Sequence, residues 1–348
     1  MRPLLIRADG HHAIGAGHVM RCLALANAWR ARGGAVTFIT FCDSDALAAR
    51  LLASCDELVR LAQPGPSDDD RTRLRAVAAA QPGAIVVLDG YGFTAPYHHM
   101  VRAAGHPLLV LDDHAHLAAY DVDWILNQNT IASPALYRGR VSNTTLLLGP
   151  SFALLRGEFA AYRTWTRSPI GDAHKLLVTL GGSDPDNVTR DVVVGVAAVS
   201  GPEAVVRVVA GHSNAHAAEL KELCARQRFS CEVLQGVDDM PAEMIWADLA
   251  ISAAGSTIWE LAYMQLPALL ITTADNQGTN AAGLQARGVA RDVGRPDVEL
   301  GERLAVVLRE LAHAGGRLTD MATAGRALVD GRGAERVVDA LLATGTRP

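Results

Sequence analysis

The strongest constraint on this chain is an alternation that occurs twice. Short apolar runs ending in Gly, Asp, Asn or Ser are each followed by an Ala/Leu-rich stretch of helical periodicity. In the first half, 3–7, 35–40, 84–89, 107–112 and 124–127 read as strands, and 19–32, 45–54, 71–80 and 96–104 as helices. The second half restarts with strands at 175–180, 204–209, 231–234, 249–252 and 267–271, and helices at 186–199, 215–226, 256–264 and 278–287. Strands that are apolar throughout and separated by helices belong to parallel sheets covered on both faces. Periodicity lapses only between Gly149 and Lys175, where Arg167-Ser168-Pro169-Ile170-Gly171 gathers turn formers. The pattern predicts an α/β chain of two Rossmann-like domains, 1–160 and 161–333, with a helix and tail over 334–348. The two parallel sheets are expected to face each other across a cleft, with ligand at the carboxyl ends of the strands.

Composition narrows the partners. With 32 basic against 37 acidic residues the chain carries a formal charge of −5. No basic stripe interrupts it, so nucleic acid is not an expected partner. No apolar segment reaches the roughly 18 residues of a membrane span, and the run at Met1–Arg7 is too short for a signal peptide. A cytoplasmic protein without a membrane partner is expected. The five cysteines are scattered and odd in number, which favours neither a disulfide framework nor a zinc cluster.

Chemistry is expected in the loops that follow strands. The first strand runs into Asp9-Gly10-His11-His12-Ala13-Ile14-Gly15-Ala16-Gly17-His18, with a helix from about Val19. Gly15 and Gly17 allow positive φ and bare backbone against a ligand, and the helix start suits an anion. A dinucleotide fingerprint counted from Gly15 needs glycine at position 20, which is Met20; a nicotinamide enzyme is therefore disfavoured. His18 stands where it can exchange a proton with a ligand, whereas His11 and His12 read as capping or surface residues. Arg21, one turn on, either reaches an anion or is solvated.

The second half repeats the arrangement. Gly181-Gly182-Ser183-Asp184-Pro185-Asp186-Asn187 follows one strand, and Ser252-Ala253-Ala254-Gly255-Ser256-Thr257 leads from another into a helix. Ser256 and Thr257 offer hydroxyls and N–H groups to a diphosphate, and Glu260 offers a carboxylate to a ribose diol. The competing reading makes Ser256 a helix cap and leaves Glu260 solvated. Asn276, Gln277 and Asn280 supply amides for sugar hydroxyls or N-acetyl groups. In the first half Asp89, Tyr91, Asp112, Asp113, His114 and His116 end neighbouring strands. Carboxylates there serve more often as hydrogen-bonding groups than as metal ligands, and neither metal nor cofactor is expected.

The set Gly15-Ala16-Gly17-His18-Val19-Met20-Arg21, Leu111-Asp112-Asp113 with Asn127-Gln128-Asn129, Gly181-Gly182-Ser183-Asp184-Pro185, Ser256-Thr257-Ile258-Trp259-Glu260 and Asn276-Gln277 resembles a known family. It is that of the hydrolases that release UDP from UDP-2,4-diacetamido-2,4,6-trideoxy-β-L-altropyranose in pseudaminic acid biosynthesis, relatives of MurG-type glycosyltransferases with the GT-B fold. The resemblance implies a GT-B-like fold and catalytic roles for His18, Tyr91 and Asn276. It also puts the family's UDP site on the Gly182-Ser183 loop and the Ser256–Glu260 helix start. The full set expected to contact the UDP-sugar is Gly15, Gly17, Arg21 and Asp112 in the first half, and Gly181, Gly182, Ser183, Asp184, Asn187, Ser252, Gly255, Ser256, Thr257, Glu260, Gln277 and Asn280 in the second. Gly90 and the His11-His12 pair do not match the family's pattern. A glycosyltransferase with a hydroxyl acceptor and a non-catalytic UDP-sugar-binding protein are the alternatives.

Overall fold

Leu4, Leu5 and Ile6 are consecutive and all fully buried, which a strand achieves only when both faces of its sheet are covered. Such sheets dominate the computed structural model, which describes residues 1–343 apart from Ala13, His212 and Ser213. Ala13 of the first glycine loop and the tail beyond residue 343 thus lie outside the described residues. The chain forms two units, Met1–Gly157 together with the segment that begins at Gly331, and Glu158–Asp330.

In the first unit the strands are β1 (Leu4–Ala8), β2 (Val36–Thr40), β3 (Glu57–Arg60), β4 (Ile85–Asp89), β5 (Leu108–Leu111), β6 (Trp124–Asn127) and β7 (Thr145–Leu148). They pair in the order β3-β2-β1-β4-β5-β6-β7, all parallel. Four helices alternate with them: α1 (Gly17–Ala31), α2 (Asp45–Ser54), α3 (Asp68–Ala80) and α4 (Ala95–Ala103). Side chains leave a strand on alternating faces, so Leu4 and Ile6 pack with Leu25 and Trp29 of α1, while Leu5 packs with Val86, Leu88 and Tyr97.

The second unit contains β8 (Lys175–Thr179), α5 (Val188–Ala197), β9 (Val205–Ala210), α6 (Ala217–Ala225), β10 (Ser230–Gln235), α7 (Met240–Trp246), β11 (Leu249–Ala253), α8 (Thr257–Tyr263), β12 (Ala268–Ile271), α9 (Gly278–Ala286), β13 (Ala290–Gly294), α10 (Leu300–Ala312) and α11 (Gly315–Leu328). Its strands pair in the order β10-β9-β8-β11-β12-β13. Counted within each unit, both orders begin 3-2-1-4-5-6. That is the doubly wound Rossmann arrangement, whose order reverses beside strand 1. The reversal falls between β1 and β4 in one unit and between β8 and β11 in the other; the glycine loops and the Asp89–Tyr91 segment leave these strands, while Asp112–His116 and Asn276-Gln277 follow the next strands, β5 and β12.

Three strands were not expected from sequence: β3, β7 and β13. They lie at sheet edges; β3 is exposed at both ends and half-buried between, and β7 is a short run of three leucines after Thr145. Helix α1 begins at Gly17 rather than near Val19, and Gly17 is helical; only Gly15 of that pair has positive φ, at 73°. No helix among the described residues is long and apolar enough to cross a membrane.

The last helix, α12 (Gly333–Ala343), buries Val337, Val338 and Leu341 with Leu25 and Trp29 in the first unit's core. A Cβ at Gly333 would lie 2.2 Å from the Ala153 carbonyl oxygen, so the helix starts flush against backbone. Leu341→Ala is expected to destabilise the unit by about 2–5 kcal/mol, the usual cost of such a truncation in a packed core. A urea-denaturation midpoint equal to the native protein's would show that α12 is not part of this core.

Candidate functional site

At the reversal point of the first unit a buried ionic network forms. Arg21 of α1 grips Asp89, the last residue of β4: Nε donates to Oδ2 and Nη2 to Oδ1, both at 2.6 Å. Its Nη1 donates to Oδ1 of Asp113, just beyond β5, at 2.8 Å. Asp113 also accepts from the Tyr91 hydroxyl at 2.7 Å and from Asn129 Nδ2 at 3.1 Å. Burial alone would lower the Arg21 guanidinium, but the two carboxylates outweigh it and raise it well above its ordinary value. Burial likewise pushes both carboxyls up, and the facing Arg21 charge more than reverses this, leaving Asp89 and Asp113 below the usual carboxylate range.

His18 is attached to this network. Its Nδ1 lies 2.6 Å from Asp89 Oδ1 and 3.3 Å from Arg21 Nη2. The shorter contact, to a carboxylate, places the proton on Nδ1, so the Arg21 approach is not a hydrogen bond. The neutral ring then carries its lone pair on Nε2, the arrangement of a base oriented by a carboxylate. Its side chain is 14% exposed, enough to be reached from one side. The Tyr91 ring packs edge-on at 5.3 Å, with His114 and His116 around Tyr91 at 5.4 and 5.7 Å.

These positions revise three expectations. His18 sits in the first turn of α1 instead of the loop before it. Arg21 is neither solvated nor turned to a ligand anion; its donors are taken by the Asp89 and Asp113 carboxylates, and it acts as scaffold. Asp112 is buried, accepting from the Tyr137 hydroxyl at 2.7 Å and the Ala115 N–H at 2.8 Å, so it holds the loop after β5 in place. Asp89 and Asp113, which sequence reading placed only at the rim, prove central. The signal was available: Asp89 ends β4 at the reversal, and Asp113 lies just beyond β5, the strand next to it.

In the second unit, Gly181 has φ of 96°, which a side chain would strain, and Gly181 and Gly182 are exposed. Gly211, after β9, packs so closely that a Cβ would meet the Gly182 carbonyl oxygen at 2.1 Å. Asp184 is buried and accepts from the Val188 and Thr189 N–H groups and from the Thr189 hydroxyl, capping α5 rather than facing a ligand. Asn187 bridges to Glu219 of α6 at 3.1 Å. Ser252 is buried in β11, its hydroxyl donating to the Ala253 carbonyl.

The loop after β11 keeps more of its expected character. Ser256 is exposed and makes no side-chain cap, so the capping alternative fails. Glu260 is buried, 6% exposed, instead of solvated. Gln277 Nε2 lies 3.6 Å from where a Gly255 Cβ would stand, bringing the loops after β11 and β12 together. Gln277 accepts from the Thr273 N–H and hydroxyl. Asn280 is buried in α9, and Asn276 is exposed just before it.

Two doubly wound parallel sheets of this order define the GT-B class of fold. The structure superposes on MurG of Acinetobacter baumannii with a TM-score of 0.66 at 16% identity, covering 99% of this chain and 100% of that one. It superposes on the UDP-GlcNAc 2-epimerase of Neisseria meningitidis bound to UDP-GlcNAc with a TM-score of 0.69 at 11% identity, covering 99% and 100%. Residues 176–336 match the glycosyltransferase family 28 C-terminal domain. An uncharacterised protein of Methanocaldococcus jannaschii is 24% identical over 77% of this chain, which spans 55% of that protein. The UDP-N-acetylglucosamine–N-acetylmuramyl-(pentapeptide) pyrophosphoryl-undecaprenol N-acetylglucosamine transferase of Methylobacterium radiotolerans is 30% identical over 95% of each chain. The chain belongs to the MurG-like family of glycosyltransferases, family 28.

Both buried carboxyls titrate lower folded than unfolded. The stability they contribute is therefore present above about pH 4, the unfolded range, and is lost as pH falls through their folded values. Arg21→Met removes the compensating charge and is expected to cost about 3–5 kcal/mol at neutral pH. The loss should shrink toward pH 5, as a carboxyl left unpaired takes up a proton. Urea denaturation across pH 5–8 measures this, and a loss independent of pH would refute the charge assignment.

Proposed function

We propose that this chain acts on a UDP-linked sugar, breaking the bond between the anomeric carbon and the diphosphate, with His18 as general base. The observation that carries the reading is the His18–Asp89 contact, which leaves Nε2 as the acceptor of a proton. The attacking oxygen adds to the anomeric carbon opposite the diphosphate, its proton passes to Nε2, and UDP departs with the bonding electron pair. A base positioned in this way contributes roughly 10²–10⁴-fold.

The second unit supplies the nucleotide site. Backbone N–H groups of the Gly181–Ser183 turn and of Gly255–Thr257, with the Ser256 and Thr257 hydroxyls, hold the diphosphate and favour its departure. Glu260 accepts from the ribose diol, and Asn276, Gln277 and Asn280 contact the sugar. Membership of family 28 and the UDP-GlcNAc bound to the Neisseria epimerase support UDP as the nucleotide.

Transfer to a hydroxyl acceptor has the stronger support from relatives, since the Methylobacterium protein is an N-acetylglucosamine transferase. Water as acceptor is the second reading, with UDP-2,4-diacetamido-2,4,6-trideoxy-β-L-altropyranose as substrate. It is favoured by the motif set that carries the family resemblance and by the Tyr91 ring packed against His18, with His114 and His116 crowded around Tyr91, which suit a small acceptor. In this reading Tyr91 orients the sugar or the water.

Proton NMR of the protein with this UDP-sugar and with UDP-GlcNAc separates the readings. Free sugar and UDP without added acceptor identify a hydrolase; UDP only in the presence of a hydroxyl acceptor identifies a transferase. Binding with no turnover under either condition would sink the enzymatic reading. His18→Asn should keep UDP affinity within a few-fold and lose about 10²–10⁴ of turnover, and turnover at the native rate would remove His18 from the mechanism.

A further inference from the structure

The second unit brings together two cysteines that the proposed function does not use. Cys224 lies in the last turn of α6 and Cys231 near the start of β10, an edge strand of the sheet that pairs with β9. The turn between them folds the strand back beneath the helix, and the two Sγ atoms stand 2.6 Å apart. Cys224 is buried, whereas Cys231 is partly exposed. The other three thiols, Cys22, Cys42 and Cys55, belong to the first unit.

We propose that Cys224 and Cys231 are a redox-modification site, closing to a reversible intramolecular disulfide with a small-molecule disulfide such as oxidised glutathione as the oxidant. Cys231, the reachable member, attacks the glutathione S–S bond as thiolate, forming a mixed disulfide and releasing one glutathione thiolate. Cys224 then attacks Cys231 Sγ, forming the internal bond and releasing the second glutathione. The two cysteines lose two electrons and two protons, and the oxidant is reduced to two thiols. The hydrogen bond that Cys231 donates lowers the Cys224 thiol and pushes that of Cys231 up, so the first exchange falls to Cys231 through its access to solvent and goes faster as pH rises.

The link joins α6 to the sheet edge. The opposite end of α6 holds the glycine turn after β8: Glu219 accepts from Asn187, and the His216 ring contacts the Pro185 carbonyl at 3.1 Å. Closing the disulfide therefore tethers the helix that braces that turn. The site stands independently of the reaction proposed above.

The test uses the full-length protein, reduced, desalted and equilibrated with glutathione buffers of increasing oxidised fraction. Samples are then alkylated in denaturant and weighed. In the oxidised samples three of the five cysteines should be alkylated, and digestion should join the Glu222–Arg226 peptide to the one beginning at Phe229. Dithiothreitol should restore five alkylated cysteines. The oxidised protein should melt a few degrees higher than the reduced one, as for a short closed loop. Cys231→Ser should keep four alkylated thiols in every buffer. Five alkylated cysteines at every ratio, a mixed disulfide that persists on either residue, or a link through another cysteine would overturn the proposal.

Discussion

The guanidinium of Arg21 is the interaction on which the first unit's site depends. It lies directly between two buried carboxylates at the ends of adjacent strands, and without it Asp89 and Asp113 would face each other uncompensated. A buried ion pair is not a large net source of stability, because desolvation consumes much of the Coulomb gain. Its value here is directional. Five donors in a rigid plane hold both carboxylates in one geometry, and that geometry fixes the His18 ring and the Tyr91 hydroxyl together. The network thus converts sheet topology into the orientation of a single imidazole.

The two units reach chemistry by the same topological route. In each, strand order reverses beside the first strand of the unit, and the loops leaving the strands at that reversal diverge enough to leave room for side chains. The first unit fills the space with charge: His18, Arg21, Asp89 and Asp113. The second fills it with bare backbone and neutral hydroxyls at Gly181, Gly182, Gly255 and Ser256, where Gly211 lets one loop touch another. A chain of formal charge −5 can accommodate a diphosphate in such a place, because N–H groups at glycine turns provide positive potential without net charge.

Much of this was legible in the residues. Central strands announce themselves because both their faces are buried, so most positions are apolar; 124–127 and the helix over 45–54 coincide with β6 and α2. The edge strands β3 and β13 did not, since a half-exposed strand tolerates polar residues and loses its pattern; β7 is only four residues long, three of them leucine. The glycine loops and His18 were visible through motif and place. Arg21, Asp112 and Asp184 carried the right residue types for ligand contact, yet each is spent on protein: on carboxylates, on Tyr137, and on the start of α5. Sequence reports that a side chain can bind an anion or accept a hydrogen bond. It does not report which partner comes first.

By itself, then, the sequence determined the class of fold, the double alternation and the segments that carry chemistry, because periodicity and glycine placement are local properties. Only the tertiary structure decided which charges are matched and which remain available. Asp89 lies 71 residues from His18 and Asp113 lies 92 from Arg21; Cys224 and Cys231 meet only because α6 turns back onto an edge strand. Pairings of this kind follow from strand order and burial, which act across the whole unit and leave no trace in any short window of residues.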